Sequence, residues 1–148
     1  HSVLQRVYDE RLIFNPGAEK MLKQLKAAGI KTMLISGGFT FFTDKLKDRL
    51  GLDYTFANTL ETVNGRLTGR LLGEVFGAKG KGWALNKICN ELGFRKENLI
   101  AIGDGANDLS MFAEAGVSIA YHAKPIVQEN ATYAINHVGL DGVINIFQ

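Results

Sequence analysis

The chain is poor in the residues that would staple, anchor or address it. Among 148 residues there is one cysteine, Cys89, so no disulfide can form within one chain. Cys89 falls inside a helical pattern and is expected to be a buried structural thiol, in keeping with a reducing cytoplasm. No apolar run approaches the length that spans a bilayer, and no signal-peptide pattern is present. Neither sign of charge dominates: 17 Lys and Arg stand against 15 Asp and Glu, a net charge of +2. No broad nucleic-acid or anionic-membrane footprint is therefore expected. His1, His122 and His137 have no evident partners, no Ser-His-Asp arrangement is suggested, and no zinc-ligand spacing exists. Internal repeats, low-complexity tracts and linkers are absent as well. The sequence opens on His1-Ser2 rather than Met, as a processed or engineered piece does, or a chain whose beginning lies elsewhere.

What is present describes an ordinary soluble globular domain, with 46% hydrophobic and 22% charged residues and enough length for a proper core. Pro16 suits the first turn of a helix from Gly17 to Ala28, whose apolar face is Ala18, Met21, Leu22, Leu25 and Ala28. Ile30 to Ile35 reads as a strand, Ser36-Gly37-Gly38 as the loop at its end, and Thr40 to Leu50 as a helix stopped by Gly51. Asp53 to Leu60 is the next strand. Thr62 to Leu72 carries Asn64-Gly65 between β-prone residues, the strongest short-range hairpin signal. Lys79 to Leu92 is a helix with Trp83, Ala84, Ile88 and Leu92 inward. Val117 to Tyr121 is a strand, Pro125 to Asn130 a short helix, Tyr133 to Asn136 a weak strand, and Val143 to Phe147 part of a terminal helix. Alternating strands and helices imply an α/β fold, a mostly parallel sheet with helices on both faces.

The stretch Leu99 to Leu109 concentrates the chemistry. Leu99 to Ile102 is a short apolar run expected to be a strand buried on both faces. It breaks at Gly103-Asp104-Gly105 and re-enters a helical pattern through Leu109, Met111, Phe112 and Ala115. Asp104 thus sits at a strand's carboxyl end, with Asn107 and Asp108 on the first helical turn, the edge where open α/β sheets bind ligands. Two carboxylates and an amide beside glycine N–H groups suit a hard divalent cation and an anion bound together. A plain turn with a helix cap uses the same residue types. An EF-hand fails, because Ala115 stands where the closing Glu is required. Ser36-Gly37-Gly38 repeats the strand–glycine–helix grammar and suits phosphate oxygens, although Ser-Gly-Gly is a common loop and Lys81, opening a helix, is an ordinary solvated residue when taken alone.

Taken together, Asn15-Pro16-Gly17, Leu34-Ile35-Ser36-Gly37-Gly38-Phe39-Thr40, Leu52-Asp53-Tyr54, Asn64-Gly65-Arg66-Leu67-Thr68-Gly69, Gly103-Asp104-Gly105-Ala106-Asn107-Asp108 and Ala123-Lys124-Pro125 carry a resemblance. The chain resembles the haloacid-dehalogenase-like phosphatases, in their phosphoserine phosphatase branch, along its whole length. The resemblance implies a Rossmann-like three-layer parallel sheet. It also implies Mg²⁺ as cofactor, ligated by Asp104 with Asp108 in the outer shell, and a phosphoryl group held by Ser36, the Gly37 amide, Lys81 and Asn107. Lys79 is the competing choice for the motif lysine; the spacing of Lys81 from Gly73-Glu74-Val75 matches the family better. The implied substrate is a small phosphorylated molecule, O-phosphoserine, cleaved through an aspartyl-phosphate in the cytoplasm. The family's Asp-x-Asp-x-Thr nucleophile motif has no counterpart in these residues. Residues 1–14 resemble the end of a helical cap returning to the core, residues 15–148 an incomplete core domain lacking its central first strand. A fragment without that strand is expected to be inactive and unstable alone. The alternatives are a phosphatase for another small phosphomonoester and a non-catalytic phosphate-binding remnant.

Overall fold

A computed structural model describes residues 17–72 and 80–146. The expectations for residues 1–14, for Asn15-Pro16, for Lys79 and for the final residues of the terminal helix lie outside the described residues. The chain divides into two compact units, 1–75 and 76–148, each with its own three-stranded sheet among the described residues.

In the first unit, α1 (Ala18–Ala27) lays Met21 into the interior with Ala18, Leu22 and Leu25 partly covered; Ala28, assigned to the same face, is exposed. Strand β1 (Met33–Phe39) starts later and ends later than the apolar pattern indicates. Ile30 is not in the strand because its N–H closes the end of α1, donating to Leu25 O at 3.0 Å. Thr32 is held instead by Asp53, whose Oδ2 accepts the Thr32 N–H at 2.8 Å. At the other end, the Ser36-Gly37-Gly38 loop is a bulge within the strand. Ile35 pairs with Phe56 and Phe39 with Asn58, so three residues of β1 face one of β2, and the ladder resumes at Phe39. Helix α2 (Thr40–Leu50) follows directly and ends at Gly51, φ 67°. β2 (Tyr54–Val63) runs parallel to β1 and turns into antiparallel β3 (Arg66–Leu72). Asn64 and Gly65 have φ of 52° and 76°, the left-handed pair that a two-residue hairpin turn requires.

The second unit opens with α3 (Gly80–Leu92). Its buried line is Gly82, Leu85 and Cys89 with Ala84 beside it, rather than the face through Trp83, Ile88 and Leu92. Trp83 and Ile88 are half-buried, and Leu92 is 40% exposed. The rotation has a physical reason in Gly82, which lies against the backbone of Ser110 more closely than a side chain allows. Cys89 is a free, buried thiol, and burial pushes its pKa up.

β4 (Ile100–Gly103), β5 (Val117–Tyr121) and β6 (Tyr133–Ile135) form a parallel sheet in that order. They are joined through α4 (Leu109–Ala113) and α5 (Pro125–Glu129), and α6 (Gly142–Ile146) closes the described chain. β5 is the central strand and four of its five residues are buried, as expected for a strand with neighbours on both sides. β4 is an edge strand of this sheet, and Ile100 is 46% exposed, which corrects the expectation of burial on both faces. No helix of the described residues is long and apolar enough to cross a membrane.

Candidate active site

The turn after β4 is built around one carboxylate. Asp108 ends a short 3-10 turn (Ala106–Asp108) and is 3% exposed. Its Oδ2 accepts the N–H groups of Asp104 at 3.1 Å and Gly105 at 3.2 Å. Its Oδ1 accepts from Lys81 Nζ at 2.7 Å. A carboxylate so nearly removed from water needs charged and polar partners of this kind, and the lysine side chain is itself only 18% exposed. Gly103 makes the arrangement possible. A Cβ there would stand 2.5 Å from Asp108 Cβ and Cγ, so only glycine lets the carboxylate fold back under the strand end.

Asp104 and Asn107 are exposed on the same turn. Among the described residues the Asp104 carboxylate has no hydrogen-bond or ion-pair partner, and no three His, Cys, Asp or Glu side chains cluster as a ready metal cage. The donor set nevertheless fits a hard divalent cation in one respect. Mg²⁺ commonly keeps several waters and takes only one or two carboxylates, and Asp104 offers one unengaged oxygen donor. Asp108 does not offer a second, since its oxygens already accept three N–H groups.

Ser36 and Gly37 belong to the first unit. Ser36 Oγ accepts the Gly38 N–H at 3.0 Å, which leaves the hydroxyl proton free to donate outward. Gly37 O accepts from Asn58 Nδ2 at 3.5 Å, a long bond from a buried amide. Within the second unit the structure brings Lys81 to Asp108 and sets Asp104 and Asn107 beside them in sequence. Two residues of this site were not singled out by the sequence, Gly82 and Ser110. The Gly82 N–H donates to Ser110 Oγ at 3.0 Å; the only trace in the sequence is a glycine next to the lysine and a serine two places beyond Asp108. His122 is an exposed loop residue, as expected of it, but it does have a partner. Its Nε2 bonds Val138 O at 2.7 Å and its ring stacks on Tyr121 at 4.1 Å, tying the end of β5 to the segment after β6.

A parallel α/β sheet with an acidic glycine turn at a strand's carboxyl end, met by a lysine from a neighbouring helix, places charged groups where sheets of this kind bind ligands. The family model for haloacid dehalogenase-like hydrolases matches residues 3–116. The chain belongs to that family. It is 49% identical over 147 residues to a phosphoserine phosphatase of Polaromonas sp. strain JS666, covering 97% of this chain and 62% of the relative. Among solved structures it is similar to a probable phosphoserine phosphatase from Vibrio cholerae in unliganded form, with 44% identity and TM-score 0.90, covering 98% of this chain and 45% of the other. It is also similar to a substrate-bound phosphoserine phosphatase complex, with 39% identity and TM-score 0.83, covering 98% and 75%. The chain thus spans less than two thirds of the length of the Polaromonas relative.

Proposed function

We propose that this chain is part of a Mg²⁺-dependent phosphatase that converts O-phosphoserine to serine and phosphate. The observation that carries the reading is the buried Asp108 carboxylate, shared between Lys81 Nζ at 2.7 Å and two backbone N–H groups, beneath the unengaged carboxylate of Asp104. The identity to the Polaromonas phosphatase over 97% of the chain supports the substrate.

In this reading Asp104 would hold Mg²⁺ directly and Asp108 would support it from the outer shell. When bound, the cation supplies positive charge against the phosphoryl oxygens. Lys81 spends one of its three ammonium protons on Asp108 and turns the others to the same oxygens. By the family resemblance, Ser36 would give its hydroxyl proton, Gly37 its N–H and Asn107 its amide to phosphoryl oxygens. Ser36 binds rather than attacks, because no base accompanies it among the described residues.

The attacking group is an aspartate outside these 148 residues. Its oxygen forms a bond to phosphorus as the bond to the serine oxygen breaks, and the serine oxygen takes a proton from the second carboxylic acid of the same Asp-x-Asp-x-Thr motif. Water then displaces the carboxylate from the aspartyl-phosphate, releasing phosphate. Strand β4, an edge strand of its sheet among the described residues, would accept the strand that bears the nucleophile. A cytoplasmic location accords with the unpaired, buried Cys89.

The test is phosphate release by the full-length gene product from O-phosphoserine and a panel of small phosphomonoesters, with Mg²⁺ and with chelator. Preference for O-phosphoserine, abolished by chelation, is expected. Equal turnover of the whole panel would favour a different phosphomonoester, and no turnover of any would favour the non-catalytic remnant.

A further inference from the structure

Lys81 is useful only where α3 puts it. It lies in the first turn of that helix, between Gly80 and Gly82, and the N–H groups of a first turn have no partner inside their own helix. The Gly82 N–H finds one on another segment, Ser110 Oγ at 3.0 Å. Ser110 follows Asp108 by two positions on α4. The hydroxyl that caps α3 and the carboxylate that receives Lys81 therefore belong to one continuous turn.

The approach is closer than any side chain permits. A Cβ on Gly82 would overlap the Ser110 carbonyl oxygen and stand 2.7 Å from its carbon. These are backbone atoms, fixed by the Gly103–Asp108 turn, and cannot swing aside as a side chain would. Gly80 approaches the same serine, since a Cβ there would lie 3.3 Å from Ser110 Oγ. Any substituent at position 82 must lift the first turn of α3 from Ser110, and Lys81 rides on that turn.

We propose that the Gly82–Ser110 contact sets the reach of Lys81 to Asp108, with Gly82 a positioning residue and the Ser110 hydroxyl its latch. Neither touches substrate. The inference rests on the phosphatase reading for its catalytic consequence, while its geometry is open to measurement without turnover.

The test uses the full-length gene product carrying Gly82→Ala, Ser110→Ala or Ser110→Thr, each also combined with Lys81→Met. Gly82→Ala is expected to lower kcat about 100-fold, the scale of an ångström's misplacement, with KM held within about threefold. Ser110→Ala costs about fivefold, because water replaces part of the cap at an exposed position, and Ser110→Thr restores the rate to within about twofold. In the Lys81→Met background Gly82→Ala lowers the residual rate less than about threefold, since its effect passes through the lysine.

The readout that needs no turnover is the NMR signal of the Lys81 ammonium, visible only while the group is sheltered on Asp108. It is expected to vanish in Gly82→Ala and persist in Ser110→Thr. If Gly82→Ala does not fold, Ser110→Ala carries the test, with a weakened ammonium signal and amide exchange at Gly82 accelerated about tenfold. An unchanged ammonium signal in the folded variant overturns the proposal, as do equal losses with and without Lys81. A parent with no phosphatase activity would overturn the functional reading alone, and the ammonium signal would still decide the positioning.

Discussion

Replacing Asp108 with asparagine changes one atom and should cost more than replacing Asp104 in the same way. Asp108 is 3% exposed, and its two oxygens accept three N–H groups. An asparagine can offer one oxygen to the Asp104 and Gly105 amides, but its NH₂ group then faces the Lys81 ammonium, donor against donor. Turning the amide over restores the lysine contact and leaves the two backbone N–H groups facing NH₂ instead. Either way a lysine whose side chain is 18% exposed loses its counter-charge. Breaking a buried pair by removing one partner costs about 3–5 kcal/mol; the residual exposure of Lys81 puts the expectation at the lower end, about 3 kcal/mol. For a protein of roughly 150–250 residues that corresponds to a drop in Tm of about 6–12 °C. Asp104→Asn, at an exposed carboxylate with no partner among the described residues, should shift Tm by less than about 2 °C without metal. Thermal melts of the full-length gene product in chelator compare the two directly. Equal shifts, or an Asp108→Asn protein as stable as the parent, would refute the assignment of Asp108 as the structural centre of the turn.

Gly103→Ala should destabilise by about 1–3 kcal/mol, because the new Cβ meets the Asp108 side chain at 2.5 Å; a melt showing no loss would contradict that packing. The Asp53 carboxyl is held below its usual value of 3.8, chiefly by the Thr32 N–H, so its contribution to stability is present above that value and is lost as pH falls through the lower folded-state pKa. Melts from about pH 5 downward should show Asp53→Asn flattening the acid slope, and parallel curves for parent and variant would exclude a contribution from the Thr32–Asp53 bond. Cys89, buried and with its pKa raised by burial, should react with a thiol reagent only on unfolding; rapid labelling of the native protein would contradict its placement.

The elements that local chemistry dictates were legible in the sequence. Asn64-Gly65 demands a left-handed pair of residues and the hairpin turns there; Gly51 stops α2 where a left-handed residue was required. Elements decided by distant partners were not. Ile30 is as apolar as any strand residue, yet its N–H is taken by Leu25, while Asp53, 21 positions away from Thr32, fixes where β1 can begin. The inward face of α3 was misread because hydrophobicity points to Trp83 and Leu92, whereas close backbone approach at Gly82 decides the rotation. At the site the residue types were visible in Gly103–Asp108, and the family resemblance divided the roles of Asp104 and Asp108, but the enclosure of Asp108 was not legible. That one carboxylate is enclosed by three donors while its neighbour stays exposed depends on Lys81, 27 positions upstream, and on the missing Cβ of Gly103. His122, read as a partnerless loop residue, is bonded to a carbonyl 16 positions on.

The most direct test of the account is the Mg²⁺ dependence of phosphate release from O-phosphoserine by the full-length gene product, measured for the parent and for Asp104→Asn. If Asp104 is the exposed oxygen donor of the metal site, the variant should need at least about tenfold more Mg²⁺ for its half-maximal rate, as is typical of damage to a metal site, while its Tm in chelator stays close to that of the parent. An unchanged Mg²⁺ requirement in Asp104→Asn, or hydrolysis by the parent that persists in chelator, would contradict the account.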